Sequence, residues 1–247
     1  MTREAERVRV EDRGHVRIVT FNRPEARNAF DVAMYRAAAA ALGAARDDVD
    51  VRAVVLAGTG TAFSAGQDLN EMRAFASGTA EADGASGFPI LLDIVQSFPK
   101  PLLAAVNGVA VGLGFTILAH CDLVVVADEA RFKVPFTELG VPAEAGSTYL
   151  FPLRMGWQRA AKVLFTSEWL TADDVVSAGI ALERCPGADV LERTLEVAER
   201  IASLSPDSVQ AIKRLLVEAH LPHVVAARRR EEAAFAELLP RLAGEAG

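Results

Sequence analysis

Two short glycine-containing segments most constrain what this chain can fold into. They are FSAGQDL at 63–69 and NGVAVGLG at 107–114, and each follows an apolar run, at 51–58 and 101–106. Glycine at a strand-to-helix turn lets the backbone approach a ligand closely and leaves N–H groups without partners. Either segment alone is equally consistent with an ordinary turn. Together they predict two N–H groups aimed at one point, which is an oxyanion hole for a thioester or acyl oxygen.

Strand and helix patterns alternate along the first part of the chain, which predicts βαβ units and an α/β fold. The predicted strands are 16–21, 51–56, 101–106 and 122–127, with a turn at 22–25. The predicted helices are 29–42, ended by Gly43, and 112–120. The Gly-, Ala- and Ser-rich segment 74–87 lacks periodicity and is predicted to be a mobile loop that forms part of a lid over a site.

Beyond residue 144 the sequence becomes predominantly helical. The predicted helices are 160–165, 171–178, 190–204 and 206–220. Thr171 and Ser205 are placed to begin helices, the second with Pro206 at its first position. We therefore predict a β/α core at 1–190 and a C-terminal helical region at 191–247 that serves packing or oligomerisation.

Charge and cysteine content exclude several classes of function. The formal net charge is −7, and the basic cluster 228–230 is followed directly by Glu231 and Glu232, so we predict no nucleic-acid binding. Cys121 and Cys185 form no C-x-x-C pair, which disfavours a disulfide framework or zinc site and fits a reducing cytoplasm. The chain shows no signal-peptide core and no apolar stretch of the roughly 20 residues that a membrane span needs. We expect a soluble, cytoplasmic protein without a membrane partner.

Familiar cofactor and hydrolase motifs are absent from the sequence. There is no G-x-x-x-x-G-K-[ST] loop, no G-x-G-x-x-G after a strand and no G-x-S-x-G around Ser64 or Ser147. The histidines lack the H-E-x-x-H spacing, and Pro222 interrupts the pair His220 and His223. We therefore predict no metal site.

Four motifs together resemble those of a known protein family. They are FNRPEARNA at 21–29, AGQDL at 65–69, PLLAAVNG at 101–108 and CDL at 121–123. In this order they resemble the crotonase, or enoyl-CoA hydratase/isomerase, superfamily over nearly the whole chain. The resemblance implies a crotonase-type spiral of ββα repeats with a C-terminal helical trimerisation region. It also implies a homotrimer or a dimer of trimers, an acyl-CoA thioester substrate, and no cofactor beyond the coenzyme A of that substrate.

Several site residues follow from this resemblance. The oxyanion donors fall on the backbone N–H groups of Ala65 and Leu113, the second at a helix start where the dipole favours negative charge. Arg23 and the backbone around Ala26 and Arg27 are expected beside the adenine and pantetheine of coenzyme A. The remaining predicted substrate-binding residues are Gly66, Gln67, Asp68, Leu69, Gly112, Phe115, Thr116 and Phe136.

The acid–base positions depart from the hydratases of this superfamily. Those hydratases use two glutamates to add water, and the matching positions here are Thr116 and Phe136. Neither side chain is a general base for water at neutral pH, so we expect hydration to be poor or absent. The stretch PFTELGVPAEAGS at 135–147 instead resembles peroxisomal-type Δ3,Δ2-enoyl-CoA isomerases, whose single catalytic glutamate matches Glu144.

Double-bond migration needs only one base. By resemblance Glu144 removes a proton from C2, the thioester oxygen becomes an enolate, and the same carboxyl returns the proton at C4. An apolar wall that includes Phe136 and Phe115 is expected to exclude water and raise the pKa of this carboxyl. From its position alone, Glu144 is equally placed to stabilise a helix that begins near Ala145. Glu138 is the rival carboxylate, with a surface or ion-paired role as its alternative.

Three neighbouring residues receive supporting roles. Asp68 is expected to cap its helix or order the turn, and His120 is expected to pack behind the site. Phe235 matches the region where the superfamily's C-terminal helix packs, but the usual closing segment with aromatic and basic residues is missing. This predicts a site more open than usual.

Other functions stay open on the sequence alone. They are an enoyl-CoA hydratase, an enzyme that uses Glu144 as a nucleophile as in aryl-CoA dehalogenation, and a non-catalytic acyl-CoA-binding trimer. The length, branching and aromaticity of the acyl group, and the choice between trimer and hexamer, are also open.

Overall fold

The computed structural model describes residues 7–76 and 87–244, and these residues form a mixed α/β fold. The strands are β1 (Val8–Arg13), β2 (Val16–Phe21), β3 (Ala53–Gly58), β4 (Ala62–Ser64), β5 (Leu102–Val106), β6 (Val109–Val111), β7 (Leu123–Ala127), β8 (Arg131–Lys133), β9 (Leu170–Thr171) and β10 (Glu183–Cys185). The helices are α1 (Val32–Asp47), α2 (Leu69–Ala76), α3 (Gly87–Gln96), α4 (Leu113–Thr116), α5 (Ser147–Met155), α6 (Trp157–Thr166), α7 (Ala172–Ser177), α8 (Val190–Ala202) and α9 (Pro206–Gly244). Single-turn 3-10 helices lie at Pro24–Ala26 and Ile117–His120. No helix among the described residues is long and apolar enough to cross a membrane.

The strands form two sheets, and each of the strand pairs β3–β4, β5–β6 and β7–β8 contributes one strand to each sheet. The first sheet has the order β1-β2-β3-β5-β7-β10 and the second the order β4-β6-β8-β9. Strands β3, β5 and β7 lie side by side and parallel in the first sheet, and β4, β6 and β8 lie side by side and parallel in the second. This arrangement is the spiral of ββα repeats that the sequence predicts, and it brings the ends of all three pairs to one region.

The first sheet is covered on both faces, which explains why its central strands are continuously apolar. Val54 and Leu56 of β3 face the core that contains Met34 and Leu42 of α1. The alternate residues of the same strand, such as Val55, belong to a second cluster with Leu195 and Ala198 of α8. The predicted strands at 16–21, 51–56, 101–106 and 122–127 are confirmed as β2, β3, β5 and β7. The division into regions 1–190 and 191–247 stays a prediction.

The predicted helix end at Gly43 is wrong. Helix α1 runs from Val32 to Asp47, and the Asp31 side chain caps it by accepting the Met34 N–H at 2.8 Å. Glycine ends a helix where it adopts a left-handed conformation, but Gly43 keeps a negative φ inside the helix. The apolar face continues past it to the fully buried Ala45, so packing extends the helix by another turn.

The predicted helix at 206–220 is too short. Helix α9 has 39 residues and continues through Pro222, so the expected interruption between His220 and His223 does not occur. Buried Val224 and Ala227 lie directly beyond the proline, and α9 packs on α5, α2 and α3. Burial of this later stretch outweighs the local cost of proline in a helix.

The predicted loop at 74–87 is partly helical. Residues 74–76 complete α2, and Gly87 begins α3. The remaining positions, 77–86, lie outside the described residues. The capping prediction at Thr171 is confirmed, because Thr171 and Asp174 form a reciprocal capping box at the start of α7.

Candidate active site

The two glycine turns lie directly against each other. Gly66 has a φ of +86°, and a Cβ atom there would approach the Val111 carbonyl oxygen to 2.5 Å and the Leu113 nitrogen to 3.4 Å. Gly112, with a φ of +53°, faces the Gly66 Cα from the other turn. Only glycine combines a left-handed backbone with so close an approach. The turns that follow β4 and β6 therefore bring two backbone N–H groups to the same place.

The pair of available N–H groups differs from the predicted pair at one position. The Ala65 N–H donates to the Arg27 carbonyl at 2.9 Å, so the prediction that it is an oxyanion donor is wrong. Two residues on, the Gln67 N–H has no acceptor among the described residues, and neither has the Leu113 N–H at the start of α4. The Phe30–Gln67 bridge causes this shift, because it engages the backbone groups of Gly66 and Asp68 and turns the Gln67 N–H outward.

Buried Asn28 supports the first turn. Its side chain accepts from the Arg23 N–H and donates to the Thr59 and Ala62 carbonyls, at 2.8, 3.0 and 2.8 Å. The Ser64 hydroxyl donates to the Asn28 carbonyl at 2.8 Å. Asn28 itself holds a left-handed φ of 56°, a conformation that asparagine tolerates better than most residues. This network links the segments 23–28 and 59–64 beneath the site, and the sequence analysis missed it.

Asp68 has the supporting role that the sequence predicts. One carboxylate oxygen accepts the Asn70 N–H at 2.9 Å at the start of α2, and the other accepts from the Arg23 guanidinium at 2.7 Å. Arg23 also donates to the Ala29 carbonyl at 3.1 Å. The Arg23 and Asp68 side chains therefore bind each other and do not line the cavity.

A cavity of about 740 Å³ opens beside the two turns. Its apolar wall includes Val32, Leu69, Met72, Phe88, Leu92, Pro135, Phe136, Leu139 and Val141. Its polar and charged lining comprises Tyr35, Arg36, Gln67, Glu71, Glu144, Arg228, Glu231 and Glu232. Such a largely apolar cleft with a few convergent polar groups is typical of a small-molecule site.

Glu144 is a carboxyl on the cavity wall with little hydrogen bonding. The contact that it makes through its side chain is with the buried Thr116 hydroxyl, 3.4 Å from Oε1. Burial among apolar groups raises the pKa of Glu144 to about 8; the negative charge of Glu231 adds to this increase, and the Thr116 hydrogen bond opposes it. A carboxyl with this pKa is poised to accept and return a proton near neutral pH.

The alternative role for Glu144, as the N-terminal carboxylate of the next helix, is filled by another residue. Helix α5 begins at Ser147, and the Glu231 carboxylate accepts from the N–H groups of Gly146 and Thr148 at 2.7 and 2.9 Å. Glu231 lies 85 residues away from Gly146, on α9. No motif in the sequence points to this pairing.

His120 and Glu138 do not line the cavity. His120 Nε2 lies 2.7 Å from the Ala145 carbonyl oxygen and donates a hydrogen bond to it. Burial lowers the pKa of His120 to about 4, so the imidazole is neutral. Glu138 forms an exposed ion pair with Lys133 at 2.7 Å, as its alternative role predicts.

The predicted site residues divide into three groups. Those in the cavity wall are Ala65, Gln67, Leu69, Gly112, Leu113, Phe136 and Glu144. Phe115 is fully buried against Phe132 and Phe151, so its predicted place in the wall is wrong: it packs in the core behind the turn. The third group adjoins the two turns without lining the cavity and comprises Arg23, Ala26, Arg27, Gly66, Asp68 and Thr116. Their contacts with the substrate stay predictions.

The sequence analysis missed much of the cavity wall that helices α1, α2, α3 and α9 contribute. Tyr35 of α1 is 3% exposed, its hydroxyl has no partner among the described residues, and burial raises its pKa well above the ordinary value. Glu71 of α2 accepts the Val32 N–H at 3.0 Å, and burial raises its pKa. Arg228 and Phe235 of α9 also line the cavity, and the expectation that the site is more open than usual stays a prediction.

Comparison with known proteins gives one consistent result. A family model described as enoyl-CoA hydratase/isomerase matches residues 11–242. The 2,3-dehydroadipyl-CoA hydratase of Escherichia coli K12 is 37% identical over 205 residues, covering 81% of this chain and 78% of that protein. The peroxisomal enoyl-CoA delta isomerase 3 of Mus musculus is 35% identical over 242 residues, covering 97% and 76%. A crystal structure of an enoyl-CoA hydratase/isomerase from Pseudoalteromonas atlantica T6c superposes with a TM-score of 0.88 at 35% identity, covering 94% of this chain and 91% of that chain.

Proposed function

The chain belongs to the enoyl-CoA hydratase/isomerase family, and from this premise we propose that it is a Δ3,Δ2-enoyl-CoA isomerase with Glu144 as its single base. Hydratases and delta isomerases are both among its relatives at similar identity, so the choice between them depends on the site. The substrate is an acyl-CoA thioester, and we propose that Arg23, Ala26 and Arg27 contact its coenzyme A part. The trimeric assembly implied by the family resemblance is part of this proposal.

The proposed reaction moves one proton and one double bond. The Glu144 carboxylate removes a proton from C2 of a 3-enoyl thioester, and the electron pair moves onto the thioester oxygen. The N–H groups of Gln67 and Leu113 stabilise this enolate oxygen, because they are fixed before the reaction and have no other acceptor among the described residues. The protonated Glu144 then delivers the proton to C4, which leaves the double bond between C2 and C3.

The observation that carries the proposal is the isolation of the Glu144 carboxyl. Glu231 is engaged by backbone donors, and Glu71 accepts a backbone N–H, whereas the one hydrogen bond of the Glu144 side chain within the described part of the chain is the long contact with Thr116. Phe136 occupies the wall where a second hydratase carboxylate would be needed. A single, poorly solvated base beside an apolar wall favours proton shuttling within the substrate over activation of water.

Ultraviolet detection of the conjugated 2-enoyl thioester, formed from a 3-enoyl-CoA, tests the proposal. We expect turnover by the wild type and a loss of roughly 10²- to 10⁴-fold in kcat for Glu144→Gln, the usual contribution of general acid–base catalysis. Glu138→Gln is the matched control and should retain wild-type activity, since Glu138 lies in an exposed ion pair. Full activity in Glu144→Gln would refute the assigned base.

Glu71 gives the hydratase alternative a specific basis. It lines the same cavity as Glu144, and burial raises its pKa, so the site contains a second carboxyl beside the proposed base. Incorporation of oxygen-18 from labelled water into a 2-enoyl-CoA, abolished by Glu71→Gln, would establish hydration. The isomerase proposal expects no incorporation above that of the Glu144→Gln variant.

A further inference from the structure

The turn that carries Glu144 is held by helix α9. We propose that Glu231 is a positioning residue for the base: its carboxylate anchors the backbone directly after Glu144 and places a fixed negative charge beside the Glu144 carboxyl. The catalytic consequence rests on the proposed function, whereas the structural and electrostatic parts do not.

The backbone after Glu144 adopts an uncommon conformation. Ala145 has a φ of 61° and Gly146 a φ of 73°, so two successive residues are left-handed. A non-glycine residue in this region is disfavoured and persists only where its surroundings impose it. Helix α9 also packs tightly here, because a Cβ on Gly146 would lie 3.0 Å from Cγ1 of Val224. The direction of the Glu144 side chain therefore depends on what holds this turn.

Glu231 holds the N–H side of the turn through both carboxylate oxygens. Oε2 accepts the Gly146 N–H at 2.7 Å, and Oε1 accepts the N–H and the hydroxyl of Thr148 at 2.9 and 2.6 Å. An ionised carboxylate accepts at both oxygens, whereas a protonated one would present a donor at one of them. Three donors thus converge on the Glu231 carboxylate, an arrangement that stabilises a negative charge at this point.

Other groups hold the carbonyl side of the same turn. The Glu144 carbonyl accepts from the N–H and hydroxyl of Ser147 at 3.0 and 2.6 Å. His120 donates to the Ala145 carbonyl at 2.7 Å. These groups are neutral, since burial lowers the pKa of His120 to about 4. Among the described groups that bind this turn, Glu231 therefore supplies the charge.

The charge acts on Glu144 directly. Burial raises the pKa of Glu144 to about 8, and Glu231 is the second cause of that increase. The charged and titratable groups that line the cavity or pack against the turn are Tyr35, Arg36, Glu71, His120, Arg228, Glu231 and Glu232. Neutralising Glu231 removes a like charge, so the Glu144 pKa should fall and the carboxylate should become a weaker base.

A pH titration followed by infrared difference spectroscopy tests this without substrate. The carboxyl band of Glu144 is assigned as the one missing from Glu144→Gln protein. In Glu231→Gln we expect its midpoint to move to lower pH by roughly one unit, the order of shift that a neighbouring charge produces. Glu237→Gln removes the same charge from an exposed position of the same helix and should leave the midpoint in place.

Glu231→Asp separates anchoring from charge. It keeps the charge and shortens the side chain, so we expect the midpoint to change by less than about half a unit. We also expect the amide hydrogens of Gly146 and Thr148 to exchange at least about tenfold faster, because they lose their acceptor. This variant keeps the proposal testable where Glu231→Gln does not fold.

Either of two outcomes overturns the inference: an unchanged Glu144 midpoint in folded Glu231→Gln, or unchanged amide exchange in Glu231→Asp. Kinetics with a 3-enoyl-CoA, measured at a pH where Glu144 is ionised in both proteins, supply the catalytic readout, with kcat expected to fall roughly tenfold in Glu231→Gln and KM to change less than about twofold. Absence of isomerase activity in the wild type would refute the proposed function and leave the titration and exchange results to decide the role of Glu231.

Discussion

At the scale of single residues, the proposed base controls the pH dependence. Glu144 must be ionised to accept a proton, and its pKa is raised to about 8. For the free enzyme we therefore expect kcat/KM to rise about tenfold per pH unit below this value and to level off above it. A rate profile between pH 6 and pH 10 measures this. Rates independent of pH across that range would contradict a raised pKa for the catalytic group.

The Thr116→Val variant should shift the midpoint of this pH–rate profile in a defined direction. The Thr116 hydroxyl donates to Glu144 and stabilises its ionised form, which lowers its pKa. Removing this donor should move the midpoint of the profile to higher pH, the opposite direction to Glu231→Gln. Valine is close to threonine in shape, so the fully buried site should stay packed.

Residue-level sequence analysis located the turns and the candidate base but not which N–H group of the first turn is available. The motif around Gly66 is local, and so is the stretch around Glu144, so both could be recognised in the sequence. Which N–H group is available depends on the Phe30–Gln67 bridge and on the Ala65–Arg27 hydrogen bond. Those contacts join distant segments, and spacing along the chain does not determine them.

At the scale of elements, two glycines should respond oppositely to alanine. Gly66 is left-handed and lies against the Val111 carbonyl, so Gly66→Ala should cost at least about 2 kcal/mol and separate the Gln67 and Leu113 N–H groups. Gly43 lies inside α1 with nothing within 4 Å of the added Cβ, so Gly43→Ala should stabilise by about 0.5–1 kcal/mol. Urea denaturation measures both changes.

Activity distinguishes the same two variants. Gly66→Ala should lower kcat by roughly 10²-fold, the usual effect of losing one oxyanion donor. Gly43→Ala should keep the wild-type rate. Equal rates in both variants would show that the close packing of the two turns is not needed for the reaction.

The predicted elements were most accurate where the sequence pattern is local. Strands β3 and β5 are apolar throughout, so their positions follow from composition. Helix α9 could not be delimited in the same way, because its continuation beyond Pro222 depends on packing against α5, α2 and α3. The cavity residues that the sequence analysis missed lie on such helices.

At the scale of the whole molecule, a partly buried ion pair joins α9 to the first sheet. Lys213 donates to both oxygens of Asp122 at 2.7 and 2.8 Å, and one of these oxygens accepts the Leu102 N–H at 2.8 Å. Lys213→Met should lower the free energy of unfolding by about 1.5–3 kcal/mol, since it leaves a carboxylate without its charged partner. Chemical denaturation measures the loss.

Arg214→Met is the control for that prediction. Arg214 pairs with Glu218 at 3.8 Å, and both side chains are more than 60% exposed. Exposed pairs of this kind contribute little, so the change should stay within about 0.5 kcal/mol. Equal losses in the two variants would mean that the Lys213 pair does not anchor the helix. Trimeric assembly and cellular compartment stay predictions at this scale.

The position of α9 at the end of the chain determines the order in which the parts of the candidate site are completed during translation. A nascent chain that has grown only to Ser205 already contains every strand of the two sheets, the glycine turns and Glu144. It still lacks Arg228, Glu231 and Phe235, which line the cavity, and Glu231 also binds the turn after Glu144. If the proposed function holds, we therefore expect activity on acyl-CoA thioesters to appear only after translation has supplied α9, and proteolytic trimming of this helix to lower that activity while Glu144 stays intact.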